Sequence, residues 1–373
     1  MTTRLAIVAL LAAGCASTQL APVSSGVQLE QDERTLWHQA EQAETRFEAG
    51  GAVYADAQLE AYLDEVAHRI EPAPIFASIP FRIRVVRNPY LNAFTLPNGR
   101  VYVHTGMLAR MDNEAQLATL LAHEMTHTTH RHAIRELRDV KNHAAWAVGL
   151  NSVLPGIGSL AGFSAIRGYS RELETEADDE GFRLVANAGY DVTESVKLFA
   201  HLQEQLAEEK QKEPFFFGTH PALQERIENY RSRIQAQGPD RRTGTKETDA
   251  FLLHTREVVY ENAVLDLRAG RFVAAERSAR KFAALEPSAA RGPFLLGEIA
   301  RQRSEGEWDA ALGEYRRAMA LDAAYADPYR AMGLVLYKRG DKAAAKAAFE
   351  KYLSLSPGAS DRAYIEAYLG NSK

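Results

Sequence analysis

Apolar positions along the chain follow two different periods, and one of them is helical. Leu117, Leu120 and Leu121 recur at the spacing of one helix face. Just before them, Asp112 or Asn113 can cap the first turn of a helix. The pattern therefore predicts a helix with one apolar face that begins near these two residues and continues past Leu121.

The second period predicts strands. Residues 81–86 alternate apolar and basic side chains, as a half-buried strand does. Two more strands are predicted over residues 91–96 and 100–104, on either side of the turn Pro97-Asn98-Gly99. An edge strand of such a sheet can hold an extended peptide by backbone pairing. Residues 92–94 fit equally well with a structural role in shaping the hairpin.

Beyond residue 250 the chain changes to alanine-rich helical segments with an internal period. Gly270, Gly306 and Gly340 recur at close to the tetratricopeptide length of 34 residues. The last repeat fits that pattern best, through Gly333, Leu336, Ala345, Phe349 and Pro357. We therefore predict an α-solenoid of tetratricopeptide repeats over residues 251–373, with a capping helix at 360–369. Generic helical hairpins are the alternative.

Composition divides the chain and limits its function. Residues 236–250 are polar, with clustered Gly, Pro and charged residues, which predicts a linker between two domains. The length of 373 residues allows two domains, and the net charge is −5. Because the sequence contains no basic stripe and no aromatic-rich binding motif, we expect no nucleic-acid partner.

The first residues predict export. Arg4 precedes a short apolar stretch over residues 5–13, which is too short to span a membrane as a stable helix. Residues 11–15 are similar to a bacterial lipobox, although the usual leucine stands one residue further upstream. We interpret residues 1–15 as a lipoprotein signal peptide with lipidation at Cys15, the only cysteine of the chain. An ordinary secretory signal is the alternative.

This interpretation implies a location. Ala16 follows Cys15, and the general sorting pattern of bacterial lipoproteins then places the protein in the periplasm, anchored to the outer membrane. A soluble periplasmic protein is the alternative. Residues 16–28 are predicted to be a flexible tether. Polar residues and glycines interrupt a second apolar stretch at 144–163, so we expect a buried hairpin or a mobile flap there rather than a membrane span.

The predicted helix after residue 113 carries the clearest chemistry. His123 and His127 are four residues apart, so they lie on one helix face and can bind the same metal ion. Glu124 lies between them and can take a proton from metal-bound water. This H-E-x-x-H spacing is the signature of zinc metallopeptidases. The alternative is a surface helix with two unrelated histidines.

A catalytic zinc site needs a third protein ligand and an open position. The acidic segment over residues 172–180 is the candidate source. Glu174 and Asp178 are four residues apart and share a helix face, whereas Glu176 points roughly the other way. We therefore predict that Glu174 binds zinc and that Asp178 orients a ligand histidine from behind.

Four groups of residues occur in an order that is typical of one protein family. They are His123-Glu124-Met125-Thr126-His127; Tyr169-Ser170-Arg171 with Glu174, Ala177, Asp178 and Gly181; Asn92-Ala93-Phe94 with Pro97, Gly99 and Val101-Tyr102-Val103; and Thr219-His220-Pro221 with Arg226-Ile227. In these residues the chain resembles the HtpX/BepA/Oma-type zinc metallopeptidases, family M48. The resemblance implies a zincin-type metalloprotease domain, which we place at residues 29–235. The expected fold class is mostly α with a small β-sheet, followed by the α-solenoid.

The resemblance also implies roles. One zinc ion per chain would be bound by His123, His127 and Glu174, with Glu124 as general base. His220 would either donate to the oxyanion or occupy the open zinc position and keep the enzyme latent. An ordinary loop histidine before a proline is the alternative for His220.

Other residues near these motifs are given lesser roles. His130, His132 and His143 do not share one helix face with both ligand histidines, so a structural role is favoured over ligation. Arg226 is expected either to support the loop of His220 or to pair on a helix surface.

BepA-like periplasmic proteases combine such a domain with tetratricopeptide repeats. The resemblance therefore implies a zinc endopeptidase that degrades unfolded, misassembled or stalled outer-membrane proteins. It also implies contact with the outer-membrane assembly machinery through the repeats. The alternative is a tetratricopeptide scaffold or chaperone for outer-membrane protein assembly, with a latent protease site.

Overall fold

The computed structural model describes residues 19–24, 28–147, 169–208, 223–237 and 243–370. Cys15, His220 and residues 148–163 of the apolar stretch lie outside this described part. Within it, no helix is both long and apolar enough to cross a membrane.

The N-terminal half is mainly helical. Its helices are α1 (Gln31–Ala49), α2 (Ala57–Ile70), α3 (Ala73–Ser78), α4 (Thr105–Arg110), α5 (Glu114–Thr129), α6 (His132–Ala147), α7 (Arg171–Asn187), α8 (Thr193–Glu208) and α9 (Leu223–Ala236). The helix predicted through the metal motif is α5, and every one of its residues is buried. The expectation of a single apolar face is therefore wrong, because the polar side chains of α5 also find their partners inside the protein.

A small sheet lies beside α5. Its strands are β1 (Arg82–Val86), β2 (Ala93–Thr95) and β3 (Arg100–His104), in the order β1-β3-β2. β1 is parallel to β3, and β2 is antiparallel to it. The three predicted strands are confirmed, although β2 is shorter than residues 91–96. The order leaves β2 at an edge of the sheet.

One apolar core connects the sheet with the helices of this half. Leu63 of α2, Val85 of β1, Leu121 of α5 and Leu198 of α8 are all fully buried in it. Burying a side chain of this size stabilises a fold by roughly 1.5–3 kcal/mol. Because α5 contributes to this core along its length, the core fixes the helix that carries the metal motif.

The C-terminal half consists of paired antiparallel helices. They are α10 (Thr248–Arg268), α11 (Phe272–Leu285), α12 (Arg291–Arg303), α13 (Trp308–Leu321), α14 (Asp327–Lys338), α15 (Lys342–Leu355) and α16 (Arg362–Gly370). A short 3-10 helix, Glu305–Glu307, precedes α13 and occupies the place where the middle repeat is longer than its neighbours. The helix α16 lies where a capping helix was predicted.

The repeats use the same contact twice. A Cβ atom added to Gly297 of α12 would lie 2.5 Å from the ring of Tyr315 on α13. A Cβ atom added to Gly333 of α14 would lie 2.5 Å from the ring of Phe349 on α15. Each hairpin therefore closes by packing a ring against a helix position that only glycine can occupy, and the predicted repeat organisation is confirmed.

The helix α10 belongs to both halves of the chain. Phe251 and Val258 are fully buried in the core of the N-terminal half. Further along the same helix, Ala263 and Leu267 lie in the apolar cluster of the first repeat. The first repeat is therefore packed directly against the first domain.

Polar contacts reinforce this packing. Thr105 Oγ1 donates to Asn262 Oδ1 at 3.1 Å. The buried Nζ of Lys281, on α11, donates to the carbonyl of Ala109 at 3.1 Å and to that of Met111. These carbonyls lie at the C-terminal end of α4, so a lysine of the first repeat caps a helix of the first domain.

The described part of the predicted linker is attached to the first domain. Thr245 accepts from the Asp191 amide and donates to the Gly189 carbonyl, both at 2.9 Å. The carbonyl of Lys246 accepts from the Glu114 amide, at the start of α5, at 3.0 Å. The helix α10 then begins at Thr248, inside the range predicted as linker.

Part of the predicted tether is also bound. Val23 is only 6% exposed, and its amide donates to the carbonyl of Thr129 at 2.7 Å. Arg131 donates to the carbonyl of Ala21 at 3.4 Å. Residues 19–24 therefore pack against the C-terminal end of α5 and do not form the flexible tether that was predicted there.

Candidate metal centre

The metal motif lies in the second half of α5, a helix with a well-defined start. The side chain of Asn113 accepts from the Gln116 amide at 3.1 Å, and the Gln116 side chain accepts from the Asp112 amide at 2.9 Å. Asn113 is therefore the capping residue, and Asp112 precedes the cap. This start places His123, Glu124 and His127 on α5, where each is at most 2% exposed.

The second acidic helix, α7, crosses α5 closely at the motif. Ser170 caps α7 by accepting from the Leu173 amide at 3.4 Å. A Cβ atom added to Gly181 would lie 3.2 Å from the backbone nitrogen of His123, so the glycine allows the two helices to approach. Glu174 and Asp178 are both buried on the face of α7 that meets α5.

These helices bring three ligand-type side chains together. One atom each of His123, His127 and Glu174 lies within 4.8 Å of the others. The two Nε2 atoms are 3.1 Å apart, and Glu174 carboxylate oxygens lie 3.5 Å from His123 Nε2 and 3.6 Å from His127 Nε2. Two imidazole nitrogens and one carboxylate oxygen form a donor set that catalytic zinc uses. The residues present therefore fit a divalent metal ion.

The opposite nitrogen of His123 is held by a buried ion pair. Asp178 Oδ1 lies 3.0 Å from His123 Nδ1. Arg226 donates to both oxygens of Asp178, at 2.6 and 3.1 Å, and its guanidinium lies 4.4 Å from the centre of the Phe199 ring. The expected pairing of Arg226 on a helix surface is therefore wrong, because this side chain is buried and pairs with the carboxylate behind a ligand histidine. The loop of His220, the other contact expected for Arg226, lies outside the described residues.

This environment changes the proton affinity of the groups around His123. Burial and Arg226 oppose protonation of His123, but Asp178 and Glu174 outweigh them and raise its pKa to about 9. Burial alone would raise the pKa of Asp178, yet Arg226 and His123 lower it well below its usual range. A metal ion that binds here at neutral pH must therefore displace a proton from His123.

His127 is fixed by two other side chains. Its Nδ1 lies 2.9 Å from Nδ1 of His132, and the Tyr169 ring stacks on its imidazole with the ring centres 4.0 Å apart. Burial lowers the pKa of His132 to about 3, so His132 is neutral and can accept at Nδ1. Its proton then lies on Nε2, which faces Glu176 at 3.6 Å. His132 therefore lies behind a ligand, in agreement with the preference for a structural role.

Glu124 is buried beside these ligands. Its Oε2 accepts from Thr95 Oγ1 at 3.0 Å. Its Oε1 is buried and has no hydrogen-bond partner among the described residues. Glu176 does not join Glu174 and Asp178 on the face of α7 that meets α5, as the helical spacing predicted. Its carboxylate accepts from Arg135 at 2.9 Å.

Sequence reasoning missed several of these contacts. Thr95 belongs to none of the four motifs, and Tyr169 entered only as part of a motif without a role. Arg226 was named without its partner. A buried arginine and a half-buried threonine leave no periodic signal in one sequence, because their partners come from distant segments.

The chain matches two family models. Residues 55–234 match the model described as Peptidase family M48. Residues 301–340 match the model described as TPR repeat. The first match contains all the residues of the metal centre, and the second lies within the helical pairs of the C-terminal half.

Several curated proteins are similar to about half of this chain. Beta-barrel assembly-enhancing protease of Escherichia coli (strain K12) is 28% identical over 198 residues, which cover 49% of this chain and 40% of that protein. The protein of the same name from Yersinia pestis is 28% identical over 205 residues, covering 51% and 42%. The mitochondrial metalloendopeptidase OMA1 of Danio rerio is 32% identical over 189 residues, covering 45% and 38%. The aligned region spans about two fifths of each relative.

Proposed function

Since residues 55–234 form a Peptidase family M48 domain and a TPR repeat follows it, we propose that this protein is a zinc-dependent endopeptidase. The observation that carries the proposal is the buried set of His123, His127 and Glu174 with Glu124 beside it. A chance pair of histidines on a surface helix would not be enclosed in this way. The metalloendopeptidase name of one relative supports the same activity.

The bound zinc ion would supply a Lewis acid that lowers the pKa of water and polarises the scissile carbonyl. Glu124 accepts a proton from the water whose oxygen attacks the carbonyl carbon. As the C–N bond breaks, Glu124 passes that proton to the leaving amine. Asp178 and His132 keep the two ligand imidazoles in place from behind. We assign oxyanion stabilisation or a resting contact with the metal to His220.

The edge strand β2 supports an endopeptidase that binds extended chains. It lies next to α5, and Thr95 of β2 touches Glu124 directly. A substrate that adds a strand to this edge would place a peptide bond beside Glu124 through main-chain hydrogen bonds. Recognition of this kind reads the backbone before the side chains, which suits unfolded proteins as substrates.

We further propose that the protein acts in the bacterial cell envelope. Two of the relatives are named beta-barrel assembly-enhancing proteases, and the predicted lipidation of Cys15 would hold the chain at the outer membrane, on the periplasmic side. Misfolded or stalled outer-membrane proteins are then the substrates. The repeats present a surface for protein segments, and we propose the outer-membrane assembly machinery as their partner.

Zinc content and casein cleavage of the chain without residues 1–15 test this function, beside Glu124→Gln and His220→Ala. We expect one zinc per chain, and we expect Glu124→Gln to retain zinc and lose cleavage. Higher activity of His220→Ala would identify a self-inhibited enzyme. Zinc without cleavage in any variant would favour a scaffold with a latent site, and absence of zinc would refute the proposal.

A further inference from the structure

The two oxygens of Glu124 lie in different surroundings. Oε2 accepts from the hydroxyl of Thr95 at 3.0 Å, whereas Oε1 is buried without a hydrogen-bond partner among the described residues. A carboxylate with two equivalent oxygens can turn about its last torsion angle, which has a broad profile. The bond from Thr95 removes this freedom and makes the two oxygens distinct.

The alternation of β2 explains why Thr95 can reach Glu124. Successive side chains of a strand point to opposite faces, so Ala93 and Thr95 share one face. Ala93 is 1% exposed and lies in the core that contains α5. Phe94 lies on the other face, where its ring stacks on Tyr102 with 5.1 Å between the ring centres. Thr95 therefore faces α5 because of its position in the strand.

The backbone of Thr95 faces a different way. His104 donates to the Asn92 carbonyl at 2.9 Å, and Leu96 donates to the Arg100 carbonyl at 2.8 Å. These bonds mark the hydrogen-bonded pairs of the antiparallel ladder, and such pairs alternate with non-hydrogen-bonded pairs. Thr95 is one residue from Leu96, so it occupies a non-hydrogen-bonded position. Its own N–H and C=O therefore point away from β3, toward the edge of the sheet where the described residues place no further strand.

We infer that Thr95 is a positioning residue for the hydrolysis, an inference that rests on the function proposed above. Its hydroxyl holds Glu124 through Oε2, which leaves Oε1 as the atom that accepts the proton. Its peptide groups lie at the edge where an extended substrate pairs with β2. The same residue therefore aligns the substrate strand and the general base.

The test compares the zinc-loaded wild type with Thr95→Val, which keeps the shape, and Thr95→Ser, which keeps the hydroxyl. A hydrogen bond to a charged group is strong enough that its loss lowers kcat about 10-fold. We expect this fall in Thr95→Val, with KM within about twofold because the backbone contacts remain. Thr95→Ser should stay close to wild type. An unchanged kcat in Thr95→Val, or a serine variant as slow as the valine variant, overturns the inference.

Thr119→Val is the matched control. It removes the hydroxyl of Thr119, which lies on α5 and bonds Ser195 Oγ at 2.8 Å. This hydroxyl does not touch Glu124, so kcat should not change. A drop in Thr119→Val equal to that in Thr95→Val would show that any such loss disturbs the helix, and would overturn the inference.

Crystal structures of the zinc-loaded variants give a readout that does not depend on turnover. We expect the Glu124 carboxylate to turn in Thr95→Val and to stay in place in Thr95→Ser; an unturned carboxylate in the valine variant contradicts the inference. Glu124→Gln separates the proposed function from the role of Thr95. If Glu124→Gln cleaves as fast as wild type, the proposed function fails. If Glu124→Gln is inactive and Thr95→Val equals wild type, only the role of Thr95 fails.

Discussion

The two halves of the chain are held together by different kinds of contact. In the N-terminal half, charges are buried at both ends of α5. At its start, Glu114 is 1% exposed and accepts from Tyr62 at 2.6 Å, Tyr190 at 2.5 Å and Arg69 at 2.6 Å. Beyond its end, Arg131 forms a two-point ion pair with the buried Glu33.

In the repeat half, rings packed on small residues recur, although the first repeat also buries an ion pair between Arg271 and Asp266. Its interior closes where Tyr315 packs on Gly297 and Phe349 on Gly333. Ion pairs such as Arg339 with Asp309 lie at its surface, where the two side chains are 39% and 85% exposed.

This difference reflects two tasks. A buried charge that loses its partner is very unfavourable, so charge pairs at both ends of α5 resist any shift of the helix that carries the metal ligands. Packing between small residues and rings can be repeated along a chain without such constraints, which suits an extended binding surface. Substitutions and truncations can test this difference between the halves.

The border between the halves can be tested by shortening the chain. Removing everything after Gln237 takes Phe251 and Val258 out of the main core, a loss of roughly 3–6 kcal/mol by burial alone. A folded domain has only about 5–15 kcal/mol of stability. We expect this chain to lose cooperative melting and zinc binding, measured by circular dichroism and metal analysis.

A chain that ends after Glu286 keeps α10 and α11, and it should retain both properties. If the shorter chain melted as cooperatively as the longer one, the first repeat would not be part of the catalytic unit.

The buried ion pair behind His123 is the next test. Arg226→Leu leaves Asp178 charged and buried, which should lower the free energy of unfolding by about 3–5 kcal/mol. Because Asp178 also orients His123, zinc affinity should fall about 10- to 100-fold. Chemical denaturation and competition with a zinc chelator measure the two effects.

Arg233→Leu is the matched control on the same helix. Arg233 pairs with Asp179, which is 60% exposed, so the change should cost less than about 1 kcal/mol. The double change Arg226→Leu with Asp178→Leu should recover stability but not zinc affinity. Equal costs for Arg226→Leu and Arg233→Leu would remove the distinction between buried and surface pairs.

Shape in the repeats is tested by one substitution at two glycines. In Gly333→Ala the new Cβ would lie 2.5 Å from the Phe349 ring, which should destabilise the repeats by about 1–3 kcal/mol. In Gly313→Ala the new Cβ meets nothing within 4 Å, and alanine favours the helix by about 0.5–1 kcal/mol. Thermal melting should therefore move in opposite directions. A fall of equal size in both would show that the Phe349 contact does not matter.

The last effect is the change of stability with pH that arises from Glu71. Burial, with help from Glu180, raises the pKa of Glu71 from 4.5 to about 7. The folded state therefore holds this proton more tightly than the unfolded state. Its contribution to stability is complete below about pH 4.5 and is lost as the pH rises through about 7.

Glu71→Gln stays neutral at every pH. Relative to wild type, its free energy of unfolding should therefore increase by about 2–3 kcal/mol between pH 5 and pH 8.5. Urea denaturation across this range measures the change. Glu65→Gln, at an exposed position of α2, is the control. A similar change of stability with pH in both variants would show that burial of Glu71 is not the cause.

Local spacing predicted a large part of this molecule. Residues four apart on one helix, such as Glu174 and Asp178, share a face whatever the rest of the fold does. Local spacing also predicted the three strands, the repeat period and the helix of the metal motif. Features that depend on one or two turns of backbone are readable from a single sequence.

Contacts between distant segments could not be read in this way. Arg226 meets Asp178 across 48 residues, and Thr95 meets Glu124 across 29. The bound state of residues 19–24 was missed because Thr129, the partner of Val23, lies in a distant segment of the chain. The attachment of α10 was missed because a polar linker precedes it.

Because Val23 is bound beside Thr129, the distance between α5 and an anchor at Cys15 is limited. Gln19, the first described residue, is the fourth residue after Cys15. A fully extended chain spans at most about 3.6 Å per residue, so an anchor at Cys15 would lie within about 14 Å of Gln19. A lipid at Cys15 would therefore hold residues 19–24 close to the membrane. With such an anchor, the C-terminal end of α5, which carries His123 and His127, would stay near the membrane surface.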